Sequence, residues 1–171
     1  MSKTILVLTG SPRAKGNSDT LAEAFVAGAA ANGHAVTVFA TTHNIGGCRA
    51  CDTCWSKGRA CSFTDAFTEL EPLLERADAV VFVTRLYWYG LSAQLKAAMD
   101  RMYAYLSPKA ARPLNVRESA LLACAGAPDP GVFEGLALSH QAILKRVGWR
   151  NAGVFSGPGG CDRGACNKQD A

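Results

Sequence analysis

Four of the chain's seven cysteines lie close together in the segment GGCRACDTCWSKGRAC, residues 46–61. Cys48, Cys51 and Cys54 are spaced by three residues, and Cys61 follows in the same segment. Thiolates at positions i, i+3 and i+6 of a short loop can surround an iron–sulfur cubane, which takes a fourth thiolate from elsewhere. The spacing therefore predicts a metal site, a 4Fe–4S cluster, with Cys61 as the fourth ligand.

Other interpretations of these thiols stay open at this stage. Zinc prefers two separated cysteine pairs, and Cys51 with Cys54 has the spacing of a redox-active pair. Reduced thiols retained for packing are the third alternative. The interleaved Arg49, Lys57 and Arg59 do not decide, because they would offset the charge of a thiolate cluster and would equally lower the pKa of free thiols.

The segment GSPRAKGNS, residues 10–18, follows an apolar run and precedes a helical pattern. Free backbone amides at a helix N-terminus favour an anion, and Ser11, Arg13, Asn17 and Ser18 add polar donors. A nucleotide-hydrolase phosphate loop would need Lys followed by Ser or Thr after its last glycine, and Gly16 is followed by Asn17 instead. The donors suit a terminal phosphate monoester held without magnesium; a capped turn without ligand is the alternative.

The segment RLYWYG, residues 85–90, has three consecutive aromatic residues. Neighbours in an extended chain point to opposite sides, so Tyr87, Trp88 and Tyr89 cannot all face one core. At least one of them should contact a flat ligand or a partner subunit.

The elements that position these segments alternate along the chain. Apolar runs predict strands at 4–9, 35–39, 79–84, 119–124 and 151–155, with a helix between each pair. Such alternation predicts a parallel sheet with right-handed crossovers and helices on both faces, a three-layer doubly wound α/β fold. In such a sheet a ligand binds beyond the carboxyl ends of the strands, near the change in strand order. The loops after the first, third and fourth strands are therefore where chemistry is expected.

Helix boundaries follow from capping residues and breakers. Ser18 is the predicted N-cap of the first helix and Gly33 its end, and Pro72 is expected to restart a helix at 65–76. Ser92 should cap the third helix, and Gly148 should end the fourth. In the third helix a single apolar stripe should face the core, made of Leu95, Met99, Met102 and Leu106.

Length, charge and composition narrow the function classes. The 171 residues predict one domain, 1–171, with a cysteine-rich loop at 46–61 and an irregular tail at 156–171. The tail lacks a pattern for a last helix, so either a partner subunit covers that sheet face or the segment stays open, and an oligomer is expected. A net charge of +4 without a basic run argues against nucleic-acid binding. No apolar stretch has the length of a membrane span, and no export signal is apparent, so we expect a cytoplasmic protein and no membrane.

Three segments together carry a resemblance: GSPRAKGNS after the first strand, the CxxCxxCW loop after the second, and LYWYGLSAQLKAAMDR, residues 86–101, after the third. They resemble the flavodoxin-like NAD(P)H-dependent FMN reductase family, and most of all its iron–sulfur flavoprotein branch, which has a compact four-cysteine motif. The resemblance implies a five-stranded sheet of order 2-1-3-4-5. Arg85 departs from the family pattern, which usually has proline there.

The resemblance also implies a cofactor, FMN, and assigns residues to it. Ser11, Arg13, Asn17 and Ser18 would hold the phosphate. The isoalloxazine would be lined on one flank by Leu86, Tyr87, Trp88, Tyr89 and Gly90, and on the other by Ala125 and Gly126. NAD(P)H would be the co-substrate, and the cluster would be held by Cys48, Cys51, Cys54 and Cys61.

The expected function is an FMN-dependent oxidoreductase that passes electrons from NAD(P)H, or from a ferredoxin-like donor, to a quinone, a flavin or another small acceptor. The alternative is an iron–sulfur flavoprotein that acts as a non-enzymatic electron carrier or redox sensor. No side chain is assigned as a catalytic acid or base, because the flavin itself carries the chemistry. A homodimer or homotetramer is expected.

Overall fold

The computed structural model describes residues 1–157, whose centre is a parallel sheet. Its five strands are β1 (Thr4–Thr9), β2 (Ala35–Ala40), β3 (Ala79–Arg85), β4 (Glu118–Cys124) and β5 (Arg150–Gly157). The strand order is β2-β1-β3-β4-β5, and each neighbouring pair is parallel. The predicted α/β doubly wound fold and strand order are therefore confirmed.

Four α-helices cover the two faces of this sheet. They are α1 (Asn17–Ala31), α2 (Phe67–Arg76), α3 (Ala93–Arg101) and α4 (Glu134–Val147), and a 3₁₀ turn (Met102–Leu106) continues α3. One core cluster joins α1 to the sheet through Ala22 and Ala29, while the other packs α2, α3 and α4 against the opposite face. None of the helices among residues 1–157 is both long and apolar enough to cross a bilayer.

The central strands are apolar because both their faces are covered. In β1, Leu6 and Leu8 belong to the core under α2, α3 and α4, while Val7 belongs to the core under α1. This alternation explains the continuous apolar run. Phe82 of β3 is 1% exposed, and burying a side chain of this size contributes about 1.5–3 kcal/mol.

The predicted tail overlaps the sheet. Ser156 and Gly157 belong to β5, so the prediction of irregular structure from residue 156 is wrong for these two residues. They extend the strand because they pair in register with Ala123 and Cys124 of β4. The rest of the predicted tail, 158–171, with Cys161 and Cys166, lies outside the described residues, as does the expectation of a missing last helix.

Three details of the helices differ from the predictions. The N-cap of α1 is Gly16, not Ser18, because the Gly16 carbonyl accepts from the Asp19 and Thr20 amides and the Asp19 carboxylate accepts from the Gly16 amide. Pro72 lies inside α2 and does not restart it. Its ring is exposed, so the carbonyl that loses a bond to it can be hydrated.

The third difference concerns the predicted apolar stripe of α3. Leu95 is fully buried, but Leu106 is 42% exposed. The helix tightens to 3₁₀ geometry at Met102, and three residues per turn rotate the following positions relative to an α-helix. Ala104 and Tyr105 are buried as a result. By contrast, the Ser92 cap and the Gly148 end are confirmed.

His140 of α4 is buried and predicts a pH dependence of stability. Its Nε2 lies 3.2 Å from the Ser119 hydroxyl, Nδ1 has no hydrogen-bond partner in the described chain, and burial lowers the pKa of the imidazole. His140 therefore binds a proton less readily in the folded state than in the unfolded chain. Its contribution to the free energy of unfolding is fully present above about pH 6.5, the ordinary histidine pKa. It should fall below that pH by at most about 1.4 kcal/mol per pH unit.

The measurement is urea denaturation between pH 7.5 and 5 on the protein and on His140→Gln, which keeps a neutral polar side chain. We expect the free-energy difference between the two to be constant at neutral pH and to change in favour of the variant in acid. Parallel curves over this range would show that His140 does not titrate in the way described.

Candidate functional site

Three of the predicted segments meet at the carboxyl edge of the sheet. The loops after β1, β3 and β4 follow strands that are direct neighbours. The Gly10 amide donates to the Val83 carbonyl at 2.9 Å, and the Leu86 amide donates to the Cys124 carbonyl at 2.8 Å. Strand β2 lies on one side of β1 and strand β3 lies on the other, so the direction of the strand order reverses at β1. Open α/β sheets bind their ligands at such a reversal.

The loop after β1 leads directly into the N-terminus of α1. The Ser11 hydroxyl lies 3.2 Å from both the Arg13 amide and the Arg13 carbonyl oxygen, which forms a compact turn. Arg13 is exposed, whereas Asn17 and Ser18 are buried, at 2% and 0% exposure. Ser11 and Arg13 therefore lie on the surface side of this loop, and Asn17 and Ser18 lie beneath it.

The Ser18 hydroxyl fits a phosphate ligand. It is wholly buried, and its oxygen has no hydrogen-bond partner in the described chain. Because Gly16 caps the helix, this hydroxyl is not used in capping. A buried polar group without a partner costs free energy, and a phosphate oxygen at the N-terminus of α1 would satisfy it where the helix dipole favours an anion. The observed site therefore fits the phosphate that the sequence predicts.

Gly10 permits the close packing of this loop. A Cβ atom at Gly10 would lie 2.4 Å from the Ser92 hydroxyl oxygen and 2.6 Å from the Leu95 Cβ. Residue 10 must lack a side chain so that the start of α3 can pack against the end of β1. This contact ties the loop after β1 to the helix that follows the aromatic loop.

The aromatic loop is a tight turn with unusual backbone angles. Tyr87 and Gly90 exchange hydrogen bonds of 3.1 and 2.9 Å, and the two residues between them have positive φ, 47° at Trp88 and 61° at Tyr89. Bulky residues rarely adopt this conformation. The turn exposes 97% of Trp88 and 64% of Tyr89. Strained backbone of this kind clusters at ligand sites, and large exposed rings here are available to a ligand or a partner.

Thr84 and Ser92 close the base of this loop. The Ser92 amide donates to the Thr84 hydroxyl at 3.0 Å, and the Ser92 hydroxyl in turn accepts from the Leu95 amide at 3.3 Å. Both side chains are fully buried. Arg85, where the family usually has proline, continues β3 by pairing with Cys124 of β4. Sequence reasoning assigned no role to Thr84, because a single threonine at a strand end has no distinctive signal.

The loop after β4 forms the other flank. Ala125 is 6% exposed, and its amide donates to the Gly157 carbonyl at 3.2 Å. Gly126 follows it and is half-buried. The structure thus places both residues at the same sheet edge as the aromatic loop.

The four cysteines of the cysteine loop, residues 46–63, line one small cavity. Cys48 and Cys51 are exposed, Cys54 is half-buried and Cys61 is buried, and all are free thiols. The cavity is closed by Arg101, Tyr103 and Ala104.

The thiols of this loop differ in proton affinity. A hydrogen bond with the Thr53 hydroxyl, whose oxygen lies 3.0 Å away, lowers the pKa of the Cys51 thiol. Burial raises the pKa of the Cys54 thiol, and the charges of Cys61, Cys51 and Cys48 raise it further. A cation bound among the thiols would favour the charged form of Cys54.

Within residues 1–157, no group of three or more Cys, His, Asp or Glu side chains is arranged to hold a metal ion. The donor chemistry of four thiols around one cavity is that of an iron–sulfur site, but their arrangement does not establish one. The metal ligand set therefore stays a prediction.

Two buried ion pairs under the cysteine loop were missed by sequence reasoning. Arg101 pairs with Asp65, and Arg59 approaches Glu71, whose carboxylate accepts from the Cys61 amide at 2.7 Å. Burial pushes the pKa of Asp65 upward, but hydrogen bonds from Arg101 and two amides outweigh it and leave the pKa below its ordinary value. Burial raises the pKa of Glu71. The available signal was that Arg101 lies three residues after Ala98 and six after Leu95, on the buried side of α3.

An open parallel sheet of order β2-β1-β3-β4-β5 with helices on both faces defines a flavodoxin-like fold. The family model for NADPH-dependent FMN reductases matches residues 4–144. The chain belongs to this family.

Individual relatives agree with this assignment. An iron–sulfur flavoprotein of Archaeoglobus fulgidus is 34% identical over 99 residues, which cover 57% of this chain and 44% of that protein. A second iron–sulfur flavoprotein of the same organism is 35% identical over 104 residues, 60% of this chain and 52% of that protein. The matched part therefore spans about half the length of these relatives.

A solved structure, the NAD(P)H:quinone oxidoreductase from Methanothermobacter marburgensis, has the same fold. It superposes with a TM-score of 0.73 over 98% of this chain and 90% of its own, at 23% sequence identity.

Proposed function

We propose that this protein binds FMN and uses it to pass electrons from NAD(P)H to a small acceptor, such as a quinone or another flavin. The observation that carries the proposal is the buried, unpartnered Ser18 hydroxyl at the N-terminus of α1, at the same sheet edge as a strained aromatic turn. FMN joins a dianionic phosphate to a flat tricyclic ring, and the two features match those two parts. Membership in the FMN reductase family supports the same ligand.

The residues of the chain have distinct roles in this proposal. Ser11, Asn17 and Ser18, with the amides of α1, hold the phosphate, and Arg13 adds a positive charge from the surface side. The ring lies along Leu86, Tyr87, Trp88, Tyr89 and Gly90 and is flanked by Ala125 and Gly126. Bound FMN supplies the hydride and electron chemistry. The turn between Thr84 and Ser92 orients the FMN ring. A nicotinamide ring can then align with the FMN ring, and hydride transfer needs no titrating side chain.

The second proposed function concerns the cysteine loop. The four thiols around one cavity support an iron–sulfur cluster held by Cys48, Cys51, Cys54 and Cys61, and curated relatives that share the matched region carry the name iron–sulfur flavoprotein. With a cluster, a ferredoxin-like donor could replace NAD(P)H, and the protein would act as an electron carrier or redox sensor.

We also propose that the protein is a homodimer or a homotetramer. Large apolar side chains exposed in the described structure support an interface, among them Trp88, Tyr103, Leu138 and Phe155, which are 97%, 52%, 58% and 57% exposed. Phe155 lines one apolar pocket with Leu21 and Phe25 of α1, and exposed apolar surface that is contiguous marks interaction sites.

One set of measurements tests the first proposal against the second. Anaerobically purified protein is examined by absorption, titrated with FMN, and mixed with NADPH or NADH and a quinone. Flavin bands that NAD(P)H bleaches, with quinone-dependent nicotinamide oxidation, are the expected result. A broad absorption at wavelengths longer than those of the flavin bands, lost in air, would support the cluster. Flavin that stays oxidised after NAD(P)H is added would favour the electron carrier. Protein that neither contains nor takes up FMN would refute the flavin assignment.

A further inference from the structure

The backbone of the cysteine loop is strained in a way that requires external support. Ala50, Asp52 and Trp55 have φ of 48°, 53° and 67°, in the left-handed region that side chains disfavour. Strain of this kind persists only where the surrounding structure fixes the conformation. Something outside the loop must therefore hold it.

Arg101 of α3 makes the required contacts. Its side chain is 2% exposed and pairs with Asp65. The guanidinium donates to the Gly46 carbonyl at 3.3 Å and to the Phe63 carbonyl at 3.2 Å, and it lies 4.5 Å from the centre of the Phe67 ring. Gly46 precedes the first of the four cysteines by two residues and Phe63 follows the last by two, so one side chain joins both flanks of the four-cysteine segment to one helix.

Asp65 completes the same closure. Its carboxylate accepts from the Gly46 amide at 3.1 Å and from the Phe67 amide at 2.9 Å. Gly46 is thereby held through both its amide and its carbonyl group. The Arg101–Asp65 pair thus links the start of the loop, its end and the start of α2 by hydrogen bonds.

Trp55 provides a second, weaker attachment in the middle of the loop. Its indole N–H donates to the Ala104 carbonyl at 2.8 Å, and its ring packs edge-on against Tyr105 with ring centres 5.9 Å apart. Ala104 and Tyr105 belong to the 3₁₀ turn that continues α3. The loop is therefore attached to α3 and its 3₁₀ continuation through Arg101 and Trp55, and to α2 through the Glu71 carboxylate, which accepts from the Cys61 amide.

We propose that Arg101 is the positioning residue of the cysteine loop: with Asp65 it closes the loop and groups the four thiols around one cavity before any ligand binds. This closure should keep the loop folded in the metal-free protein, although no three of the described thiols have metal-binding geometry. This proposal extends the proposed function of the cysteine loop. It depends on that function for the identity of the group that the thiols bind, but not for the way in which the loop is held.

The test uses reduced, metal-free protein and a short pulse of iodoacetamide, with each cysteine quantified by peptide mass spectrometry. In the unaltered protein the exposed Cys48 and Cys51 should be labelled fast, and Cys54 and Cys61 slowly. In Arg101→Met, Cys54 and Cys61 should be labelled faster by about tenfold or more, because the lost charge-assisted hydrogen bonds lower the cost of opening the loop. Cys124, 1% exposed in β4, should stay slow and so reports that the sheet remains folded.

The matched control is Lys96→Met on the same helix. Lys96 pairs with Asp100 one turn away, and both side chains are largely exposed, so the variant removes a cation from α3 without touching the loop. Its labelling pattern should equal that of the unaltered protein. If Arg101→Met were labelled like Lys96→Met, the proposal would be wrong.

A double variant separates positioning from simple stability and serves also if Arg101→Met does not fold. Arg101→Met with Asp65→Asn leaves no unpaired buried charge and keeps a side-chain oxygen that can accept from the Phe67 amide, so it should recover stability. The loop should stay open nevertheless, with fast labelling of Cys54 and Cys61 and trypsin cleavage after Lys57. Slow labelling in the double variant would show that Arg101 only balances a buried charge, and would overturn the proposal.

These outcomes are independent of flavin. Protein that binds no FMN but labels as expected would refute the proposed oxidoreductase and leave the role of Arg101 standing. Protein that binds FMN and shows no change in Arg101→Met would do the reverse.

Discussion

Ser18→Ala should weaken FMN binding while making the ligand-free protein more stable. The hydroxyl is fully buried and has no partner in the described chain. Removing an unsatisfied polar group should raise the free energy of unfolding by about 1 kcal/mol. A hydrogen bond to a charged group is worth about 1.5–3 kcal/mol, so FMN affinity should fall by about 10- to 150-fold. The measurements are urea denaturation of the ligand-free protein and titration by the quenching of FMN fluorescence.

The opposite signs make this result specific, and Ser92→Ala provides the contrast. Ser92 is equally buried, but its hydroxyl accepts from the Leu95 amide and caps α3. Its loss should lower stability by about 1 kcal/mol. If Ser18→Ala also lowered stability, or if it left FMN affinity unchanged, the hydroxyl would not be reserved for a phosphate.

The fold was predictable because its central strands are covered on both faces. The continuous apolar runs of β1 and β3 exist only because α1 packs on one side and α2, α3 and α4 on the other, and the alternation of strands with helices then leaves few topologies. Strand ends were less predictable. Ser156 and Gly157 carry no apolar signal, and they are in β5 because β4 offers them hydrogen-bonding partners.

The errors in the helices come from competition between local rules. Ser18 is a better N-cap by residue type than Gly16. The Asp19 carboxylate, however, accepts a hydrogen bond from the Gly16 amide and fixes the cap two residues earlier. Pro72 is tolerated inside α2 on its solvent side. Neither outcome follows from residue preferences alone, because the first depends on the hydrogen bond to Asp19 and the second on which side of α2 faces solvent.

The site was predictable in its location and not in its internal geometry. The three loops could be placed because parallel strands present their carboxyl ends at one edge. The left-handed angles of Trp88 and Tyr89 oppose the preferences of aromatic residues, and they occur in the turn that the two Tyr87–Gly90 hydrogen bonds close. The Arg101–Asp65 pair joins residues 36 positions apart, for which a single sequence gives no signal.

Gly10→Ala should cost both stability and FMN affinity. The added Cβ would lie 2.4 Å from the Ser92 hydroxyl oxygen and 2.6 Å from the Leu95 Cβ. Neither atom is the free end of a long side chain, so the strand end and the start of α3 must move apart. Overpacking of this kind costs about 1–3 kcal/mol. The same movement shifts the loop after β1 relative to the aromatic loop, so FMN affinity should also fall by about tenfold or more.

Gly28→Ala is the matched control, since a Cβ at Gly28 meets no atom within 4 Å. Gly28 lies inside α1, where alanine should raise the free energy of unfolding by about 0.5–1 kcal/mol and leave FMN affinity unchanged. The same substitution thus has opposite effects at the two positions, because one glycine permits a close approach and the other only loosens a helix. If both variants were stabilised and both kept FMN, the contact between β1 and α3 would not be what holds the phosphate loop against the aromatic turn.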